Sequence, residues 1–324
     1  MNSKWSQNTE RQGGKIDISN LSYDFCNDDL ISTYYEQKLL EIADKNKWLE
    51  ENQENLLQSK DRIAKAIQDG LIANNNPDTI WQFQMNRIQN GKNEIIRIKA
   101  AIERNIEQIK INVAKRLSEF LPKWISEKAT VTFTMNDKAD FCVDENQITV
   151  DLGRLLRNEN FIEKVTEGIS HEVFHIWMKE KNKWSDSKQD DESDEALKSQ
   201  IVFRTVEEGL AVLVSGQSLS EHHEKQGRDY QKYIAESFEF FKKFLSQDNR
   251  AELEKMNEQE FKNMGHFCVV GNEIAKTVLR QIGVEKFRKL IEECRLSPEK
   301  IIEEYESICD NNPELISIRK ENKK

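Results

Sequence analysis

The spacing of apolar residues changes twice along the chain, and each change marks a change of predicted structure. Ile95, Ile98, Ile102, Ile106, Ile109, Val113, Leu117 and Phe120 recur at steps of three and four, the period that stacks side chains on one side of an α-helix. Such a stripe has to be covered by other parts of the chain. Asn76-Pro77-Asp78 gives this helix a start, with a capping residue, a proline suited to a first turn and an early acid, after a loop at Asn74 to Asn76. Tyr34 to Leu71 predicts a further helix or helix pair. Beyond Pro122 the period falls to two: Val131 and Phe133 alternate with Thr132 and Thr134, and Ile148 and Val150 with Thr149 and Asp151. With turn-prone Asn136-Asp137 and Asp144-Glu145-Asn146 between them, these segments predict a small antiparallel sheet. From Phe161 the helical spacing returns and persists to the C-terminus, interrupted by an acidic stretch at Asp186 to Glu195 and by Ser297-Pro298, a second cap-and-proline start. There is no fixed-period repeat, and the isoleucine stripe is too short and irregular for a coiled coil. The expected fold is mainly α (α+β), in three parts. A polar N-terminal segment covers residues 1–29, and a helical region over 30–122 packs on the rest. The third part, 123–324, joins the small sheet to the remaining helices.

Composition narrows the function classes without choosing one. With 324 residues, 37% hydrophobic and 33% charged, the chain is long enough to bury a substantial core. No apolar run approaches the roughly 18 to 20 residues of a membrane helix, and Met1 to Leu30 has no apolar stretch of the signal-peptide kind. No membrane partner is therefore expected, and the expected compartment is the cytoplasm. The five cysteines are odd in number, scattered and free of Cys-x-x-Cys spacing, which argues against a disulfide framework and against a thiolate zinc site. A net charge of −10 disfavours binding to a phosphate backbone. The eight basic and four acidic residues between Gly91 and Ile125 read as a solvated helix face, not a nucleic-acid surface.

The candidate chemistry lies in the helix beginning near Asn160, at His171-Glu172-Val173-Phe174-His175. Histidines four residues apart lie about 40° from one another around a helix, so both imidazoles reach one metal from the same side. Glu172, about 100° away, approaches from the flank. Ile162, Val165, Ile169, Val173 and Ile176 form a stripe well away from the histidines, and Gly168 falls near the histidine face, where it leaves room. Two core histidines meeting at this spacing by accident is the competing explanation, and a third ligand decides between the two. Catalytic zinc takes three protein ligands and keeps one position open. His222, His223 and His266 do not fit the short downstream spacing of a third-histidine motif, which leaves a carboxylate. In the next helix, about Ser199 to Ser215, Glu208 lies opposite the apolar stripe of Val202, Phe203, Val206, Leu210 and Leu213, whereas Glu207 projects beside that stripe's edge. Gly209 allows close backbone approach there.

These residues resemble the gluzincin metallopeptidases, in which a His-Glu-x-x-His helix is joined by a glutamate on the next helix, often within a Glu-Gly-hydrophobic-Ala string. Glu208-Gly209-Leu210-Ala211 is similar to that string. The resemblance spans roughly Thr130 to Glu293, and the chain is similar to compact bacterial zinc-dependent peptidases. It implies a Zn2+ cofactor held by His171, His175 and Glu208, hydrolysis of a peptide or protein substrate by zinc-activated water with Glu172 as general base, and a peptidase domain over 123–324. It also implies an edge strand that binds extended substrate, a role suited to Ile148 to Leu152. The chain departs from the pattern at two points. Val212 stands four residues after Glu208, where some members carry an aspartate behind a ligand. No motif marks the group that stabilises the oxyanion; His266, Tyr230 and Tyr233 are the candidates, with His266 taken first as the catalytic one. The acidic stretch 186–195 reads as a solvated loop in preference to a lid that selects basic substrates. Two rival functions share these ligands: a helical interaction protein with a structural or vestigial zinc site, and a zinc hydrolase of a non-peptide amide or ester. Glu172 argues against the first, since a structural site has no need of a base beside the metal. The sequence does not separate the second from a peptidase.

Overall fold

The computed structural model describes residues 21–37, 77–121, 128–135, 140–156, 159–179, 193–260 and 265–318. Helix α1 (Pro77–Phe120) begins at the proline of the predicted start. Of its apolar stripe Ile95, Ile98, Ile102, Ile109, Val113, Leu117 and Phe120 are buried, and Ile106 packs at the margin. They belong to one continuous apolar cluster with the sheet and the later helices. Residues 28–37 are helical, and 34–37 are the described part of the helix expected over Tyr34 to Leu71. The remainder lies outside the described residues, as do Asn74 to Asn76, Pro122, Asn136-Asp137 and the acidic stretch before Ser193.

The small sheet has four strands, β1 (Leu21–Phe25), β2 (Ala129–Thr134), β3 (Phe141–Asp144) and β4 (Gln147–Asp151), in the order β1-β2-β4-β3. The antiparallel arrangement expected for the two recognised segments is corrected here, because β2 and β4 run parallel, with Val131 opposite Ile148 and Phe133 opposite Val150. The reason is β3, whose short Phe-Cys-Val-Asp sequence does not stand out by alternation. β3 forms the hairpin with β4 through Glu145-Asn146, with Glu145 at a φ of 48°, and so reverses the chain before β4 enters the sheet. β1 lies within the segment read as polar. Leu21, Tyr23 and Phe25 turn inward from it, and Phe25 stacks on Phe133 with ring centroids 4.5 Å apart. The edge-strand expectation for Ile148 to Leu152 is also corrected: β4 is paired on both sides, and the sheet's edges are β1 and β3. Leu152 opens a helical turn, Leu152–Leu155, capped by Asp151, which accepts from the Gly153 amide at 2.8 Å.

Two helices follow that carry the sequence motifs, α2 (Phe161–Lys179) and α3 (Asp194–Ser215). Ser193 caps α3 by accepting from the Ala196 amide at 3.1 Å, and Asp194 and Glu195 in the first turn complement the helix dipole. Gly216, at a φ of 75°, ends α3 with its N–H on the Leu213 carbonyl at 3.2 Å. Six more helices follow among the described residues: α4 (Leu219–Lys225), α5 (Tyr230–Ser246), α6 (Arg250–Glu260), α7 (His266–Ile282), α8 (Val284–Cys294) and α9 (Glu299–Asn311). Helix α7 crosses α3 with the two backbones in contact at Gly209 and Gly271. A methyl group on Gly209 would lie 2.5 Å from the Gly271 Cα. Buried Asn272 fixes the crossing by donating Nδ2–H to the Gly209 carbonyl at 3.2 Å.

Two arginines tie the motif helices to the frame. Arg116 of α1 donates to the Ser215 carbonyl at the end of α3 and to the Glu163 carboxylate at the start of α2. Buried Arg295 donates to the Trp177 carbonyl in the last turn of α2 and lies 4.1 Å from that indole's centroid. No helix among the described residues is long and apolar enough to cross a membrane.

Candidate metal centre

Helix α2 is more enclosed than a helix with one core face and one open face. Val165, Ile169, Val173 and Ile176 are buried as the stripe requires, and so are Phe174, Trp177 and Met178. The space left by Gly168 is taken by the Phe141 ring of edge strand β3. A methyl group on Gly168 would lie 2.5 Å from the Phe141 Cζ, so glycine leaves the room that this ring occupies.

His171, His175 and Glu208 converge across the α2–α3 contact. The Nε2 atoms of the two histidines are 3.0 Å apart, and Glu208 Oε2 lies 3.4 Å from His171 Nε2 and 3.7 Å from His175 Nε2. For metal–ligand bonds of about 2.0–2.1 Å in a tetrahedron, the ligand atoms stand about 3.3–3.4 Å from one another. The observed triangle brackets that value. Among the described residues this is the group of three or more His, Cys, Asp and Glu side chains whose ligand atoms could share one metal ion. The charges agree with the geometry: Glu172 and Glu207 are buried and Glu208 is partly so, with Glu207 on His175 and Glu208 beside both imidazoles. Carboxylates held this far from water need compensating positive charge, and a dication among them provides it. The donor set, two nitrogens and one oxygen, suits zinc.

A family described as "Putative zinc dependent peptidase (DUF5700)" matches residues 28–314. The chain belongs to this zinc-peptidase family. Its match covers α1 and the whole of the motif region, so the long N-terminal helix is part of what defines the family. Neither a curated protein nor a solved structure matches the chain.

Within this zinc-peptidase framework the second glutamate of α3 has a distinct position. Glu207, buried at the margin of the α3 stripe, accepts a hydrogen bond from His175 Nδ1 at 2.9 Å. It supplies from the adjacent position the carboxylate that Val212 does not. The sequence signal was its place at the stripe's edge, which is where the back of His175 meets the core. His171 has no equivalent, since its Nδ1 is buried without a hydrogen-bond partner among the described residues.

The electrostatics separate the carboxylates. Burial raises the Glu172 carboxyl above its ordinary range, against the lowering pull of His171 and His175. This is the direction that makes a carboxylate a better proton acceptor near neutrality. For Glu208 burial also pushes upward, but the two imidazoles outweigh it and hold the group well below the ordinary range. It is therefore ionised and available as a ligand. Burial pushes the His175 imidazole down, and the Glu207 and Glu208 carboxylates together reverse this and raise it well above the ordinary histidine value.

His266 stands at the first residue of α7, half-buried between the rings of Tyr233 and Phe240 at centroid distances of 4.6 and 4.9 Å. Its Nδ1 lies 2.8 Å from Ser237 Oγ, and that hydroxyl donates to the Tyr233 carbonyl at 2.6 Å. Tyr233 also packs on His223, and the Tyr230 hydroxyl donates to Glu273 at 3.1 Å. The three oxyanion candidates thus occupy one patch. Its apolar base, Val212, Leu219, Tyr230 and Val269, includes the residue one helical turn beyond Glu208.

Proposed function

We propose that the protein is a gluzincin-type zinc metallopeptidase that hydrolyses peptide bonds, with His171, His175 and Glu208 as metal ligands and Glu172 as general base. The observation that carries this reading is the triangle of two Nε2 atoms and one carboxylate oxygen with edges of 3.0, 3.4 and 3.7 Å, flanked by a buried glutamate that is not one of its corners. A zinc ion bound there supplies Lewis-acid polarisation of the scissile carbonyl and a lowered pKa for water.

The chain's own groups do the remaining work. Glu172, buried and with its proton affinity raised, takes a proton from the attacking water at its carboxylate and passes it to the departing amine nitrogen. His266 donates from Nε2 to the developing oxyanion. Ser237 Oγ, 2.8 Å from His266 Nδ1, holds the ring by its other nitrogen. Extended substrate pairs with β3, an edge of the sheet that rests on α2 through Phe141 and Gly168.

The test is metal analysis of the purified protein followed by cleavage of proteome-derived peptides. The expected result is about one zinc per chain and peptide cleavage that disappears in Glu172→Gln with the metal retained, since the base is not a ligand. A protein that takes up no zinc at neutral pH, or a Glu172→Gln variant with full activity, refutes the proposal.

A further inference from the structure

We infer that Glu207 is a positioning residue of the metal centre: its carboxylate holds the His175 ring by Nδ1–H and thereby directs the Nε2 lone pair at the ion. This rests on the zinc reading above and adds to it a division of labour between two adjacent glutamates. Both lie on α3, about 100° apart around the helix axis. Glu208 points its oxygen at the two Nε2 atoms, and Glu207 reaches the opposite nitrogen of the same imidazole at 2.9 Å.

Three features single out this contact. Glu207 is 7% exposed, and among the described residues its hydrogen-bonding partner is His175, with no lysine or arginine on it. A carboxylate in that position is not a surface charge that drifted inward, and its burial is compensated through the imidazole alone. Being an acceptor only, it also dictates the ring's state, because Nδ1 must carry the proton and Nε2 is left to bind the metal. Finally, the two histidines are unequal. Among the described residues His171 Nδ1 is buried without a partner, so no described group fixes its tautomer from the far side, and His175 is the ligand whose direction Glu207 sets before the ion arrives. The orienting carboxylate comes from the residue next to the third ligand, so one turn of α3 supplies both a ligand and the anchor of another ligand.

The experiment compares zinc affinity, zinc dissociation rate and the histidine NMR spectrum in wild type, Glu207→Ala and Glu207→Gln. In zinc-loaded wild type the His175 Nδ1–H gives a slowly exchanging proton signal, assigned by its correlation to the carbon-bound protons of the same imidazole. Glu207→Ala is expected to lose that signal and to bind zinc about 10- to 100-fold more weakly, the usual effect of removing such a partner. In Glu207→Gln the amide oxygen still accepts the bond, so the signal should persist at a shifted position, with affinity between those of the other two proteins. This rescue separates orientation of the ring from simple filling of space, and it stands even if the alanine variant does not fold. A His175 Nδ1–H signal and dissociation rate unchanged in Glu207→Gln and Glu207→Ala overturn the inference, as does a Gln variant that loses the signal. Absence of zinc from the wild type would instead sink the metal reading itself, a different outcome in the same measurement.

Discussion

Replacing Gly209 by alanine tests whether the crossing of α3 and α7 fixes the position of Glu208. The added methyl would sit 2.5 Å from the Gly271 Cα and closer still to the Gly271 carbonyl carbon, where ordinary contact begins at 3.4 Å. The obstructing atoms are backbone, so no rotamer change relieves the overlap and the helices must separate by about 1 Å. Overpacking of this kind costs about 1–3 kcal/mol, and stretching the Asn272 bond to the Gly209 carbonyl adds about 0.5–1.5 kcal/mol. Glu208 moves with α3 while His171 and His175 stay on α2. A shift of about 1 Å is several times the roughly 0.2 Å that a metal site tolerates. Urea unfolding of the metal-free protein should therefore show a loss of about 1.5–4.5 kcal/mol, and competition with a chromogenic chelator should show weaker zinc binding. Gly271→Ala, whose methyl would press on the Thr205 carbonyl, should show the same loss of stability from the other side. A Gly209→Ala protein with wild-type urea midpoint and wild-type zinc affinity would refute the reasoning.

Further outcomes follow from the site. Glu208→Ala should release zinc or bind it very weakly, because two remaining ligands hold the ion poorly; equilibrium dialysis at neutral pH measures this, and stoichiometric zinc in the variant would exclude Glu208 as a ligand. Zinc affinity should go on rising with pH beyond the ordinary histidine range near about 6.5, because His175, raised by Glu207 and Glu208 over the opposing effect of burial, must give up a proton to bind the ion. Calorimetry in buffers of different ionisation enthalpy should register that proton. In the metal-free protein the raised His175 stabilises the fold fully below its unfolded value and ceases to do so as pH climbs through its folded value, while the depressed Glu208 stabilises above its unfolded value and fails as pH falls through its folded one. The urea midpoint of apoprotein should therefore decline on both sides of that window, and a flat profile would count against the ion pair. His266→Phe should keep zinc and lower kcat by about 10²- to 10³-fold with little change in KM. Normal kcat would shift the oxyanion role to Tyr230 or Tyr233.

The helices, and the sides of α2 and α3 on which His171, His175 and Glu208 stand, were legible because that information is local. A stripe at steps of three and four fixes which side of α1 is buried, and the phase of α3 alone separates Glu208 from Glu207. The sheet was less legible for a physical reason. Val131-Phe133 and Ile148-Val150 announce strands by alternation, but the direction in which two strands meet depends on what the chain does between them. Here a four-residue strand, Phe141–Asp144, reverses it. Leu21, Tyr23 and Phe25 did alternate, but over five residues in polar surroundings, too short a pattern to name a partner more than a hundred residues away. The enclosure of α2 and the filling of the Gly168 space by Phe141 are likewise tertiary facts. The bond from Glu207 to His175 needed both the phase of α3 and its distance from α2, and only the first is written in the sequence.

The pairing of β1 with β2 has a consequence for how the protein is made. Ser22 and Thr130, whose hydroxyls meet at 2.9 Å, are 108 residues apart, and at about 5–20 residues per second β2 leaves the ribosome roughly 5–20 s after β1. The entropy of closing so long a loop grows only slowly with its length, so the finished pairing carries little thermodynamic penalty. The delay is kinetic: during synthesis β1 is a strand without its neighbour, exposing Leu21, Tyr23 and Phe25, and the Phe25 ring has no Phe133 on which to stack. Helix α1, emerging in the interval, offers its isoleucine face as an apolar surface available to it. The order of synthesis thus favours docking of β1 on α1 before the sheet exists, with β2 and then the β3–β4 hairpin adding to a template already in place when the motif helices arrive.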